Sequence, residues 1–237
     1  MANTLAHDPV LQTRTEEVEA TLKREILTGQ YRPGERLPSE RDLAARFQTS
    51  RGTIRETVKK LEQLGIVSIQ PGGARVVPVE KATLDVLGAL LELHTPPDPQ
   101  LLDQVFEVFG TLMHLAALSA IEKATDEQLE MAIEAAEKVL DVEIQDQHPA
   151  LRNLAFIFIE VSEHLVLQLV MNGMHTQFIE EPWTENPPVL ERKQLTKIIR
   201  DLQDGFKQRN SDQVSDAMHR LHTLLRSAVQ KALNTKN

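Results

Sequence analysis

The residues best suited to chemistry lie close together near the amino terminus: Ser50, Arg51, Gly52, Thr53 and Arg55. In the first turn of a helix, this set would present unpaired backbone N–H groups, two hydroxyls and two guanidinium forks. The N–H groups bind phosphate oxygens. An arginine fork matches O6 and N7 of guanine in the major groove, and a Ser or Thr hydroxyl bonds a base or a phosphate. Gly52 has no side chain to hold another surface away. The rest of the chain offers little chemistry. There is no cysteine, so disulfides and thiolate nucleophiles are excluded. The later residues show no Ser-His-Asp set and no phosphate loop. Glu160 and Glu163 are close, but an isolated acidic pair is usually a solvated edge. His219 and His222 lie three apart, and two histidines without a carboxylate or a third imidazole make a poor zinc site. No metal and no cofactor are expected.

The elements around the Ser50–Arg55 turn follow from spacing. Val18, Leu22 and Ile26 recur every four residues, so 15–28 reads as a helix stopped by Gly29. Pro33-Gly34 makes a turn, and Pro38 keeps Leu37 extended. Ser39-Glu40-Arg41-Asp42 is a helix start with a capping serine and an acid three residues on. Leu43, Ala44 and Phe47 give that short helix its buried face. A second cap follows at Thr49 or Ser50, and 51–64 forms the next helix with Ile54, Val58 and Leu61 inward. Two short helices joined by a tight turn make a helix-turn-helix. Ile66–Gln70 and Ala74–Val77, joined through Pro71-Gly72-Gly73, read as a hairpin directly behind it, a wing.

Charge supports this placement. The 237-residue chain carries a net −9, yet residues 11–77 hold 12 Lys and Arg against 9 Asp and Glu, while 78–237 hold 14 against 25. A basic head meets phosphate, and an acidic body stays soluble and off the duplex. The amino terminus lacks a charged-then-apolar export pattern, and no apolar run approaches 18 residues, so a cytoplasmic protein without a membrane span is expected.

Residues 15–77 resemble the winged helix of the GntR family of bacterial regulators. The matching stretches are Ile26-Leu27-Thr28-Gly29, the run from Tyr31 to Ala44, Ser50 to Glu56, and Leu61 to Val67. The resemblance implies that Arg41, Ser50, Arg51, Gly52, Thr53, Arg55 and the wing-tip Gly72 approach double-stranded DNA. The fatty-acid regulators of the family's FadR branch carry a base-reaching histidine where this chain has Pro71.

Beyond a proline-broken linker, the chain reads as six or seven helices without strands, an antiparallel bundle. The expected segments are 82–93, 100–123 with Leu101, Val105, Val108, Leu112 and Leu115 inward, 125–142, one starting at Pro149 and carrying apolar residues through Val170, 189–208 and 211–235. A breaker at Trp183–Pro188 separates the last two from the rest. This all-helical body resembles the effector domain of the FadR branch, best at Leu169-Val170-Met171-Asn172-Gly173-Met174 and in the spacing of Leu84, Leu87 and Leu91. Related domains hold a divalent metal with an Asp-x-x-x-His pair and two later histidines. Here that pair reads Asn153 and Ile157, and 191–202 has no histidine. Many relatives also place an acid-binding arginine where this chain has Phe109. Small sugar acids are thereby disfavoured, and a largely apolar effector would rest on Phe106, Met113, Phe156 and Met174 facing inward.

The expectation is mainly α: a winged helix at 11–77, a linker at 78–82, and an effector and dimerisation domain at 83–237. Such a chain would act as a ligand-responsive regulator, a homodimer on a near-palindromic operator. Two other readings share the same head: a helical-body enzyme, and a protein-interaction module whose partner binding survives deletion of 1–77.

Overall fold

The computed structural model describes residues 14–176 and 188–234. The chain divides into two units, the first running through Leu93 and the second from His94.

In the first unit, α1 (Arg14–Leu27), α2 (Glu40–Arg46) and α3 (Arg51–Gln63) pack around Leu22, Leu43, Ile54 and Leu61, all fully buried. β1 (Val67–Gln70) and β2 (Gly73–Val76) pair antiparallel, with Val67 opposite Val76 and Gln70 opposite Gly73. The extended piece before α2 joins this wing, since Leu37 N–H donates to the Ala74 carbonyl and Val76 N–H to that of Glu35. Half-exposed Arg46 holds α2 against α1 through the buried carboxylate of Glu25, and it also reaches the Tyr31 hydroxyl.

The segment after the wing departs from expectation. Residues 82–93 do not form one helix. A 3-10 turn at Leu84–Val86 leads into a short α4 (Leu87–Leu91). Val86 and Leu90 pack on the winged-helix core, and Thr83 N–H donates to the Leu64 carbonyl. The unit boundary therefore falls eleven residues later than the linker at 78–82 suggested, because the apolar side of this segment is spent on the head.

The second unit holds six helices among the described residues: α5 (Pro99–Lys123), α6 (Asp126–Asp141), α7 (Gln147–Val161), α8 (Leu165–Thr176), α9 (Arg192–Lys207) and α10 (Ser211–Asn234). Their contacts run α5 to α7 to α6 to α9 to α10 and back to α5, with α8 against α7. Phe158 of α7 and Phe206 of α9 meet at the centre, ring centroids 5.3 Å apart. Thr125 starts α6 with a reciprocal capping box, and Asn210 caps α10 by accepting from Gln213 N–H. Three residues join α9 to α10, a connection that makes neighbours antiparallel.

Two expectations about this bundle are corrected. The helix starting near Pro149 does not continue through Val170. It begins at Gln147, with proline tolerated in the first turn, and ends at Val161. Glu163 then takes φ +49°, which no helix interior allows. Ser162 Oγ accepts from His164 N–H, and His164 Nδ1 accepts from Leu167 N–H to start α8. Leu165, Leu169 and Val170 consequently face outward. On α5, the expected inward face Leu101, Val105, Val108, Leu112 and Leu115 is only partly so: Val105 borders the cavity and Leu112 packs against the core, whereas Val108 and Leu115 are exposed. The buried stripe is Leu102, Gly110, Met113, Ala116, Ala117 and Ala120, one position over. Small residues face the bundle because they let α10 approach closely. The breaker at 183–187 lies outside the described residues.

By length and composition α5 could cross a membrane, but it is packed between α7 and α10, and its Asp103 is ion-paired with Arg226 of α10.

Candidate nucleic-acid interface and body cavity

Ser50 sets the geometry of the head. Its backbone is extended (φ −77°, ψ 152°), and its Oγ accepts from Thr53 N–H at 3.0 Å. That cap fixes where α3 begins. Arg51, Gly52 and Arg55 then lie exposed on one side, with Thr53 partly exposed, while Ile54, Thr57, Val58 and Leu61 are buried on the other. A side chain at Gly52 would meet only Ser50 Oγ, at 3.4 Å. The fold therefore does not require glycine at this position.

The two arginines of α3 differ. Arg51 has no side-chain hydrogen bond among the described residues. Arg55 is held by Glu40 of α2 through two parallel contacts, Nη2 to Oε2 at 2.9 Å and Nε to Oε1 at 3.1 Å. The Arg55 hydrogen bond, with the charges of Arg55 and Arg51, holds the Glu40 carboxyl below its usual range. The same contact raises the Arg55 guanidinium further. Both side chains remain exposed, so the pair is a surface fork that another anion can compete for. Sequence reasoning missed this pairing, because the two residues come from different helices fifteen positions apart.

Arg41 is 74% exposed and lies 3.4 Å from Asp42. Asp42 is engaged by Ser39, whose hydroxyl donates to Oδ2 at 2.6 Å and holds that carboxyl low. Gly72 sits at the wing tip with φ +98° and nothing near its would-be Cβ. Only glycine adopts that angle without strain. At the wing root, Arg75 Nη1 donates to the Gly34 carbonyl at 2.9 Å. All seven expected site residues thus belong to the head, and none is buried.

The body encloses a cavity of about 240 Å³ between α5, α7, α8 and α10. Phe106, Met113, Phe156 and Met174 all line it, as does Phe109. His148, Arg152 and His222 are its only polar side chains among the described residues. His148 Nε2 lies 2.8 Å from the Pro188 carbonyl. The His222 ring packs face-on to Gly110, where a Cβ would come within 2.4 Å of it. Its Nε2 has no partner among the described residues, and burial pushes its pKa below the usual histidine value despite a hydrogen bond to the Phe106 backbone.

A metal fits poorly here. Asn153 is exposed, Ile157 packs against the core, and His219 is exposed while His222 lines the cavity. No group of three or more His, Asp or Glu side chains gathers among the described residues.

The family described as bacterial regulatory proteins, gntR family, matches residues 14–77. The galactonate operon transcriptional repressor of Escherichia coli (strain K12) is 32% identical over 172 residues, covering 71% of this chain and 70% of that protein. The chain belongs to the GntR family. A fatty acid metabolism regulator protein of Enterobacter sp. (strain 638) is 28% identical over 200 residues, covering 82% of this chain and 78% of that one. The solved structure of Lar, described as controlling expression of the Listeria monocytogenes agr system, superposes with a TM-score of 0.56 at 16% identity, over 94% of this chain and 99% of that one. That likeness shows the shared fold. This GntR member is accordingly a DNA-binding transcription regulator and not an enzyme. Glu160 and Glu163 need no catalytic role.

Proposed function

We propose that this regulator is a cytoplasmic, ligand-responsive repressor that binds a near-palindromic operator as a homodimer. The observation that carries the reading is the exposed, Ser50-capped start of α3 with Arg51 unpaired toward solvent and the wing behind it. Arg51 reads guanine in the major groove, and Thr53 and the first-turn N–H groups take phosphate. Gly52 is explained by close approach of the duplex, since the fold leaves room there for a side chain. Arg55 exchanges Glu40 for a phosphate or base on binding. Arg41 and the Gly72 tip make flanking backbone contacts.

The effector enters the 240 Å³ cavity of the body. Its lining is apolar apart from His148, Arg152 and His222, so the ligand is largely apolar, of acyl type, with any acidic or polar head placed toward these three side chains. It needs only to favour one head spacing by a few kcal/mol to release DNA. Selection of bound sequences from a random duplex pool tests the reading. An inverted repeat with half-site centres about one helical turn apart supports it. Recovery of no shared motif refutes it. Acyl compounds then either lower affinity for the selected site or, by leaving it unchanged, dismiss the effector assignment.

A further inference from the structure

The outer face of the wing carries cations that none of the expected site residues accounts for. Leu37 N–H donates to the Ala74 carbonyl and Val76 N–H to that of Glu35, which sets Arg36 directly opposite Arg75. Arg75 in turn pairs with Ser68, and Gly73 with Gln70. Paired residues point to one side of a sheet, and neighbours along a strand point to opposite sides. Leu37, Val67, Ala74 and Val76 pack on the core, so Arg36, Ser68, Gln70 and Arg75 share the outer face. Arg36 and Arg75 form a non-hydrogen-bonded pair, the kind that brings side chains closest, with Cα atoms ~4.5 Å apart. Like charges directly opposite one another destabilise a sheet. Neither arginine has an ion pair among the described residues. The flanking carboxylates of Glu35 and Glu62 accept instead from the backbone N–H groups of Arg32 and Ile69. Arg75 is held by the Gly34 carbonyl, whereas the Arg36 guanidinium lies over Gly73, where a Cβ would come within 2.7 Å of its Nε. Both side chains are exposed. The turn itself, Pro71-Gly72-Gly73, offers no side-chain donor.

We propose that Arg36 and Arg75 form a seat for one phosphate group of the operator backbone, beside the groove contact of α3. The inference rests on the DNA-binding reading of the head. A phosphate placed between the two guanidinium groups removes their repulsion and accepts charge-assisted hydrogen bonds from both. Ser68 and Gln70 add neutral donors on the same face. A carboxylate of the protein would relieve the same repulsion, yet the fold leaves that place to an outside anion. The duplex is the polyanion this head meets. Contacts of this kind set register on the duplex and carry no base preference.

Arg36→Glu in the full chain separates binding from folding. Its carboxylate pairs with Arg75 across the strands, so circular dichroism melts show the head no less stable than wild type. Affinity for the selected operator, read by fluorescence anisotropy, falls by roughly thirtyfold or more. Arg36→Gln loses about tenfold, and its log–log salt slope drops by about one for each head. Arg36→Lys stays within about threefold of wild type, since a phosphate accepts either cation. All of these proteins select the same motif from a random duplex pool. Wild-type affinity and slope in Arg36→Glu overturn the seat. A loss that comes with a melt well below wild type also overturns it, because Arg36 would then be structural. So does a changed motif, which would make the face a reader of bases. Melts in inorganic phosphate against chloride at matched ionic strength are the last arm. A phosphate-dependent gain that Arg36→Glu lacks, with DNA affinity unchanged, assigns the seat to a free anion and overturns the DNA contact. Arg51→Ala keeps the two readings apart. Weakened binding there, with Arg36→Glu unchanged, removes the seat alone. A wild-type chain that selects no duplex removes the DNA reading on which the seat rests.

Discussion

Substituting Ser50 separates its two roles, in folding and in DNA contact. Its Oγ caps α3 by accepting from Thr53 N–H at 3.0 Å and also touches the Thr53 hydroxyl at 3.0 Å. Ser50→Ala removes the cap and costs about 1 kcal/mol, within a range of about 0.5–2. In a domain of this size, that lowers the melting temperature by about 4–8 °C. Ser50→Asp keeps an acceptor in the same place and adds a charge that suits a helix N-terminus, so head stability stays within about 0.5 kcal/mol of wild type. DNA affinity moves the other way. A carboxylate about 5 Å from a phosphate is repelled by about 1 kcal/mol in water-like screening and about 3 kcal/mol at a protein surface. Each head of a dimer bears this penalty, so Ser50→Asp binds its operator at least tenfold more weakly while Ser50→Ala loses less. Scanning calorimetry reads the first effect and fluorescence anisotropy across a salt series reads the second. A Ser50→Asp head that melts like Ser50→Ala refutes the cap, and one that binds DNA like wild type refutes the approach of this turn to phosphate.

Three further outcomes follow from the geometry. Glu40→Gln releases Arg55 from its fork and removes a carboxylate from the DNA-facing side, so operator affinity rises several-fold with a steeper salt dependence, measured by anisotropy; unchanged binding would show that Arg55 makes no DNA contact. Gly110→Ala places a methyl within 2.4 Å of the His222 ring, an overpacking cost of about 1–3 kcal/mol partly offset by about 1 kcal/mol of helix propensity. In a cycle with His222→Ala the propensity gain cancels, and chemical denaturation should return a coupling of about 1–3 kcal/mol; additive effects would place the ring elsewhere. His222 has a folded pKa below its unfolded value because of burial, so its contribution is complete above pH 6.5 and is lost as pH falls from there through the folded pKa. Thermal melts of wild type should lose stability across that window more steeply than those of His222→Gln, and parallel curves would contradict the buried neutral imidazole.

Much of the head was legible because its signals are local. A capping serine followed by an acid or a threonine three residues on states where a helix starts, and both Ser39 and Ser50 do so in the structure. The turn at Pro71-Gly72 fixed the wing in the same way. The Arg55–Glu40 fork was not legible, since it depends on how α2 packs on α3. In the body, Phe106, Met113, Phe156 and Met174 were read as inward; all four border the cavity, but only Met113 and Met174 are buried, and Phe156 is exposed. The face of α5 was read about one residue off, with Val108 and Leu115 exposed, for a physical reason. Large residues dominate a periodicity reading, whereas this bundle buries Gly110, Ala116, Ala117 and Ala120, which contribute close backbone approach rather than bulk. The α7–α8 break was hidden because Ser162-Glu163-His164 lacks glycine and proline, and the chain reverses there through the positive φ of Glu163.

The central claim is that the first turn of α3 enters a DNA groove and reads sequence there. Operator selection from a random duplex pool with wild type and with Arg51→Ala tests it most directly. Loss of preference at one guanine-bearing position in each half-site, with affinity for the wild-type site lower by about 1–3 kcal/mol per head, is the predicted result. An identical selected motif and affinity for the two proteins would contradict it.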